Sequence, residues 1–171
     1  MPQAQLHLGV ILVSRPPASR WARRGFVPSA VLAAVPEAQP GTRLGPAGET
    51  ELWYAGARAL RLYSGETGHY RDNLASARPA VWVALRQPAQ GMEIAALTVD
   101  PYEGEALAGD EGLLVEAVAM PAPTAAFLAD FVATHHVEQV FVKRKRKRAD
   151  PEALARRGPL SQGGAARRGW R

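Results

Sequence analysis

Between Ala59 and Arg86 two runs with the pattern of strands enclose a short polar segment that ends at a proline. In the first run Leu60 and Leu62 alternate with Arg61 and Tyr63, the period of two that places one strand face in a core and the other in water. The second run, Val81-Trp82-Val83-Ala84-Leu85, is apolar throughout and rich in β-branched residues, the strongest strand signal in the chain. Ser64 suits an N-cap for a short helix across Glu66 to Ala75. Pro79 forbids continuation of that helix and biases Arg78 to an extended conformation. The enclosed segment carries Glu66, His69, Tyr70, Arg71 and Asn73, a concentration of polar chemistry found nowhere else between two hydrophobic walls.

The remaining elements are read outward from this stretch. Leu6 to Val13 reads as a strand buried on both faces, with Gly9 at a bulge or a close approach. Phe26 to Val35 is a second strand, limited by Pro28 to an edge, a bulge or a strand start. Residues 36–50 are dense in proline and glycine and read as a loop. Thr50 to Tyr54 and Ala57 to Tyr63 look like the arms of a hairpin turning at Ala55-Gly56. Beyond Gln87 to Gly91, a turn, Met92 to Val99 reads as a return strand. Asp100-Pro101-Tyr102-Glu103 starts a short helix, with a cap, a proline at the first position and an acid at the capping-box position, ending near Gly109. Leu113 to Met120 is a further strand. Pro123 to about His136 is the longest helix, with a stripe of Phe127, Leu128, Phe131, Val132 and His135. Val137 to Val142 reads as a last short strand.

Most connections are shorter than the dozen or so residues a parallel crossover needs. The expectation is an α+β fold: a mainly antiparallel, curled or barrel-like sheet with two short helices and one longer C-terminal helix. It forms a single globular domain over residues 1–142, followed by a basic tail, residues 143–171, that is disordered in isolation.

Charge divides the chain at the same place. Residues 143–171 hold 11 Lys and Arg against 2 acids, whereas residues 1–142 hold 10 Arg against 14 acids. The high pI is therefore a property of the tail, and the body is mildly acidic. There is no cysteine, which excludes disulfides, thiolate metal sites and cysteine nucleophiles. No apolar run reaches the roughly 20 residues of a membrane helix. The N-terminus lacks the charged-then-apolar order of a signal peptide, so a cytoplasmic protein is expected.

Several stretches together resemble a bacterial family, a domain of unknown function. They are Tyr70-Arg71-Asp72-Asn73-Leu74-Ala75-Ser76, Pro79 to Arg86, Asp100 to Glu103, Val115 to Pro121, and Phe131 to Glu138 running into Phe141-Val142-Lys143-Arg144. The resemblance spans roughly residues 6–148. Genes of that family often lie beside those for molybdenum-dependent formate dehydrogenase and its maturation proteins. The resemblance thus implies an accessory role around that enzyme. It brings no catalytic residues with it.

Glu66, His69, Tyr70, Arg71, Asn73 and Arg78 form the candidate patch for a polar ligand or a partner. Glu66 and Tyr70, and His69 and Asn73, are four apart on a helix and share faces, and an arginine near a helix start can hold a phosphate or carboxylate. The plainer reading is a surface helix with Tyr70 and Leu74 docked on the sheet and its charges solvated. His135-His136 invites a metal reading, but adjacent helical residues point about 100° apart and no carboxylate completes an HExxH-type set. A pair of imidazoles interacting with the helix C-terminus is the favoured reading, and no metal or cofactor is expected. Trp82 reads as core; Trp21 and Trp53 fit either core or surface. No phosphate-binding loop, dinucleotide fingerprint, nucleophile elbow or paired-carboxylate motif is present.

The run Lys143, Arg144, Lys145, Arg146, Lys147, Arg148 can engage nucleic acid, anionic lipid or an acidic protein surface, or simply remain solvated. The leading expectation is a non-enzymatic accessory protein of a molybdenum-dependent formate dehydrogenase or its maturation factors, acting by protein–protein interaction. Nucleic-acid or phosphate-ligand binding through the tail is the alternative, and binding of a molybdopterin-like ligand at residues 66–78 a weaker one.

Overall fold

The computed structural model describes residues 3–15, 25–48, 50–86 and 93–137. These belong to one compact unit, Met1–Val137. The stretch from Glu138, including Lys143 to Arg148, lies outside the described residues, as does Trp21; of the expected last strand only Val137 is described, and it is in no strand.

Among the described residues, seven strands form two antiparallel sheets. β1 (Gln3–Arg15), β2 (Gly25–Leu32), β3 (Thr42–Leu44) and β4 (Glu51–Tyr63) make the first, in the order β2-β1-β4-β3. β5 (Ala80–Arg86), β6 (Glu93–Thr98) and β7 (Leu114–Ala119) make the second, in the order β6-β5-β7. A 3-10 turn, Ser64–Glu66, leads into α1 (Thr67–Ala75) between β4 and β5; α2 (Pro101–Ala108) follows β6, and α3 (Ala122–His135) follows β7. β4 lies against β6 and β2 against β7, so the sheets curl around one interior and meet at two seams without closing a barrel. The expected α+β architecture, mainly antiparallel and curled, is the one observed.

Alternation fills the interior. Leu8, Val10 and Leu12 of β1, Leu60 and Leu62 of β4, and Val81, Val83 and Leu85 of β5 are essentially inaccessible. Each such side chain contributes about 1.5–3 kcal/mol on burial. Tyr70 of α1 and Leu128 and Phe131 of α3 complete the same core, with the Tyr70 and Phe131 rings 6.4 Å apart. The outer face of β1 is covered at Gly9 and Ile11, whereas Gln3, Gln5 and His7 on the same face are exposed. A Cβ on Gly9 would lie 3.2 Å from both Pro36 and the Tyr54 ring, which explains why a glycine stands there.

Four local expectations change in detail. Ser64 opens the 3-10 turn and does not cap α1, whose N-cap position is Glu66. The stretch around Ala55-Gly56 is a bulge within one long strand rather than a hairpin turn: β1 pairs along all of β4, and the register shifts where Val10 opposes Gly56 and Ile11 opposes Tyr54. Gly56 has φ +116°, so its positive φ serves the bulge. The loop over 36–50 contains β3, three residues paired to Leu52–Tyr54. Trp82 is only partly buried. Pro28 stands on an edge strand beside a shift in register, where Leu12 opposes Pro28 and Ile11 opposes Ala30.

Candidate functional site

α1 is nine residues long, too short to be stable alone. Side chains tie it to three neighbours, and the tie points are the polar residues that stood out in the sequence. Tyr70 and Asn73 point inward. The Tyr70 hydroxyl accepts a hydrogen bond from the Tyr63 N–H at 3.1 Å. Burial, assisted by the charges of Asp100, Glu66 and Glu103 and opposed by that hydrogen bond, pushes its pKa up to about 12. Asn73 is 3% exposed. Its Nδ2 donates to the carbonyls of Ala80 at 2.8 Å and Val99 at 2.7 Å, and its Oδ1 accepts from the Ala80 N–H at 3.0 Å. Every polar atom of Asn73 is thus engaged in holding α1 to β5 and to the end of β6.

Toward α2, Glu66 and His69 meet Asp100. His69 Nδ1–H donates to Asp100 Oδ2 at 2.8 Å and lies 3.1 Å from Glu66 Oε2. The hydrogen bond to Asp100 raises the pKa of His69 above its usual range; burial opposes this, and the charges of Asp100, Glu66 and Asp72 add to it. The Tyr102 ring stacks obliquely on the imidazole, with centroids 4.5 Å apart. Asp100 is the N-cap of α2, where its Oδ1 accepts from the N–H groups of Tyr102 at 2.9 Å and Glu103 at 3.5 Å. The capping box runs through a third residue: Thr98 Oγ1 accepts from the Asp100 N–H and donates to Glu103 Oε2 at 2.6 Å.

Toward α3, Arg71 Nη1 donates to His136 Nε2 at 3.1 Å, and His136 Nδ1–H donates to Thr67 Oγ1 at 3.1 Å. The adjacent His135 stacks instead on Phe131, with centroids 4.7 Å apart.

Arg78 stands apart from these contacts. It lines an open groove of about 470 Å³ together with Asp72, Asn73, Trp82, Tyr102 and Glu105. Gly104 of α2 lies directly on the Trp82 indole, where a Cβ would come within 2.4 Å of Cγ. The structure therefore divides the six sequence candidates. Glu66 and His69 come together, Tyr70 and Asn73 turn inward, Arg71 joins His136, and Arg78 faces the groove. Asp100, Trp82 and Tyr102 were not among the candidates; Asp100 is separated from His69 by 31 positions, and no spacing rule links them. A smaller cleft of about 290 Å³, lined by Arg58, Arg61, Tyr63 and Glu103, marks the β4–β6 seam, which Arg58 Nη2 bridges by donating to the Ala95 carbonyl.

Fold and site together define a class: an α+β protein of two curled antiparallel sheets, with a polar cluster and an aromatic groove where the helices meet the second sheet. Within that class the chain belongs to the DUF3305 family, described as a protein of unknown function, over residues 7–147. Neither a curated protein nor a solved structure matches it. No helix among the described residues is long and apolar enough to cross a membrane.

Proposed function

We propose that this chain is an accessory protein that works by binding another protein, and that its partner is a molybdenum-dependent formate dehydrogenase or one of that enzyme's maturation factors. One observation carries the binding reading: Trp82, Tyr102 and Arg78 line a single open groove. Tryptophan, tyrosine and arginine are the residue types that most often dominate the energy of protein interfaces. Tyr102 is 61% exposed, so a partner would bury much of an aromatic ring that the fold leaves in water. Asp72 and Glu105 beside it supply the polar rim that such interfaces carry. The choice of partner rests on the gene company of the family.

The test is affinity capture from the native bacterium with the full chain, at low and at high salt. Three baits are compared: wild type, Tyr102→Ala with Arg78→Glu, and a chain with Lys143 to Arg148 all changed to glutamine. The proposal predicts that formate dehydrogenase subunits or their chaperones are retained at high salt by wild type and the tail variant, and lost by the groove variant. Capture of nucleic acid alone, abolished by salt and by the tail substitutions, would move the binding function to the tail.

A further inference from the structure

We propose that Glu66, His69 and Asp100 form a binding site for a divalent first-row transition-metal ion of the zinc, cobalt or manganese kind. Nδ1 of His69, a carboxylate oxygen of Glu66 and one of Asp100 lie within 4.8 Å of one another. Metal–ligand bonds to these atom types are about 2.0–2.2 Å long, so tetrahedral donors stand roughly 3–3.5 Å apart. The observed contacts of 2.8 Å and 3.1 Å to Nδ1 need slight opening, and the ion takes the place of the Nδ1 proton, which is released on binding. Mixed imidazole and carboxylate donors suit these ions, whereas calcium and magnesium favour all-oxygen sets.

Two features separate the cluster from an incidental ion pair. The first is that Asp100 is prebuilt. Its side chain is 8% exposed, and Oδ1 is fixed by the α2 backbone while Oδ2 faces His69. The cap therefore consumes one oxygen and orients the other, the kind of outer support that metal-binding carboxylates carry. The second is Glu66. It occupies the N-cap position of α1 yet makes no side-chain cap hydrogen bond; its carboxylate turns to His69 instead. Capping does not set that orientation; the contact with His69 one helical turn on does, and it leaves the carboxylate beside Nδ1 as a third donor. Glu66 and His69 are 45% and 39% exposed at their side chains, so an ion can enter from solvent. Three protein donors leave at least one coordination position for water or another ligand.

The site is independent of the protein-binding reading and is tested on the purified full chain, stripped with a chelator and desalted. Zn2+ is titrated by calorimetry, and Co2+ by its visible absorption, which reports coordination geometry. One ion per chain is expected. Affinity should fall about tenfold or more in Glu66→Gln, His69→Gln and Asp100→Asn, and stay unchanged in His135→Ala. Asparagine is as good an N-cap as aspartate, so Asp100→Asn keeps α2 while weakening the donor. Zn2+ should also raise the thermal midpoint of wild type more than that of any of the three variants at the same concentration. Equal affinity in wild type and all three variants, or loss of the site in His135→Ala alone, would overturn the assignment.

Discussion

Replacing Asn73 is the most direct test of how α1 is held. Asn73→Ala deletes three hydrogen bonds, to the carbonyls of Ala80 and Val99 and from the N–H of Ala80. Each contributes about 1 kcal/mol net, giving about 3 kcal/mol. Alanine returns up to about 0.7 kcal/mol in helix propensity. The expected loss is therefore about 2–3 kcal/mol. With an m value of about 2 kcal/mol/M, the urea midpoint falls by about 1 M. Asn73→Asp keeps the shape but sets an acceptor against two carbonyl oxygens, so it should cost at least as much. The assay is urea unfolding of the full chain followed by far-ultraviolet circular dichroism, with Asp72→Ala as the control. Asp72 is the neighbouring residue, its side chain 66% exposed, and its removal should change stability by less than about 0.5 kcal/mol. If Asn73→Ala behaves like Asp72→Ala, the clamp is not what fastens α1 to β5, and the residue is free for a ligand after all.

Two further outcomes follow from the same contacts. Gly104→Ala would set a Cβ 2.4 Å from the rigid Trp82 indole and force α2 off β5; overpacking costs about 1–3 kcal/mol and the helix gain offsets at most about 1, so the thermal midpoint should fall by several degrees in a scanning-fluorimetry melt, and a rise would refute the contact. The His69 ion pair gives a pH dependence whose sign is fixed by the raised pKa of the folded state: with metal chelated, its stabilisation is full below about pH 6.5, the unfolded value, and disappears as pH climbs through the folded value. The effect is small, because the side chain is 39% exposed and water screens it; comparison of wild type with His69→Gln at acidic and at alkaline pH reads it, and an NMR titration placing His69 at or below the ordinary value would sink it.

What was legible in the sequence is what neighbouring residues decide among themselves. Asp100-Pro101-Tyr102-Glu103 announces a helix start because cap, proline and acid act within one turn. Val81 to Leu85 announces a buried strand, and it lies at the centre of the second sheet. Gly56 shows the other case. Its positive φ could be read from the residue type, but a turn and a bulge both need one, and the choice was made by β1, which is long enough to pair along the whole of β4. β3 escaped notice because three residues have no periodicity of their own and become a strand only by pairing with β4. Asp100 was hidden differently. Its role as a cap accounted fully for its presence, and a cap says nothing about the second carboxylate oxygen, which the return of β6 beside α1 points at His69.

The polar residues of α1 looked like one patch in the sequence because helical spacing places several of them in adjacent turns. Folded, they serve three different neighbours. Tyr70 and Asn73 fasten the helix to the strands, Glu66 and His69 join it to the start of α2, and Thr67 and Arg71 join it through His136 to the end of α3. A helix this short has little stability to contribute, so its position is the resultant of those three attachments. Perturbing one attachment therefore gives a distinct readout. Loss of the inward clamp should appear in global unfolding, loss of the Asp100 contact in metal affinity and pH response, and substitution of Arg78, which fastens no part of α1, in partner binding alone; Tyr102, packed on His69, should move both partner binding and the metal site. A single variant that moved all three readouts together would mean that α1 acts as one unit rather than as three separable contacts.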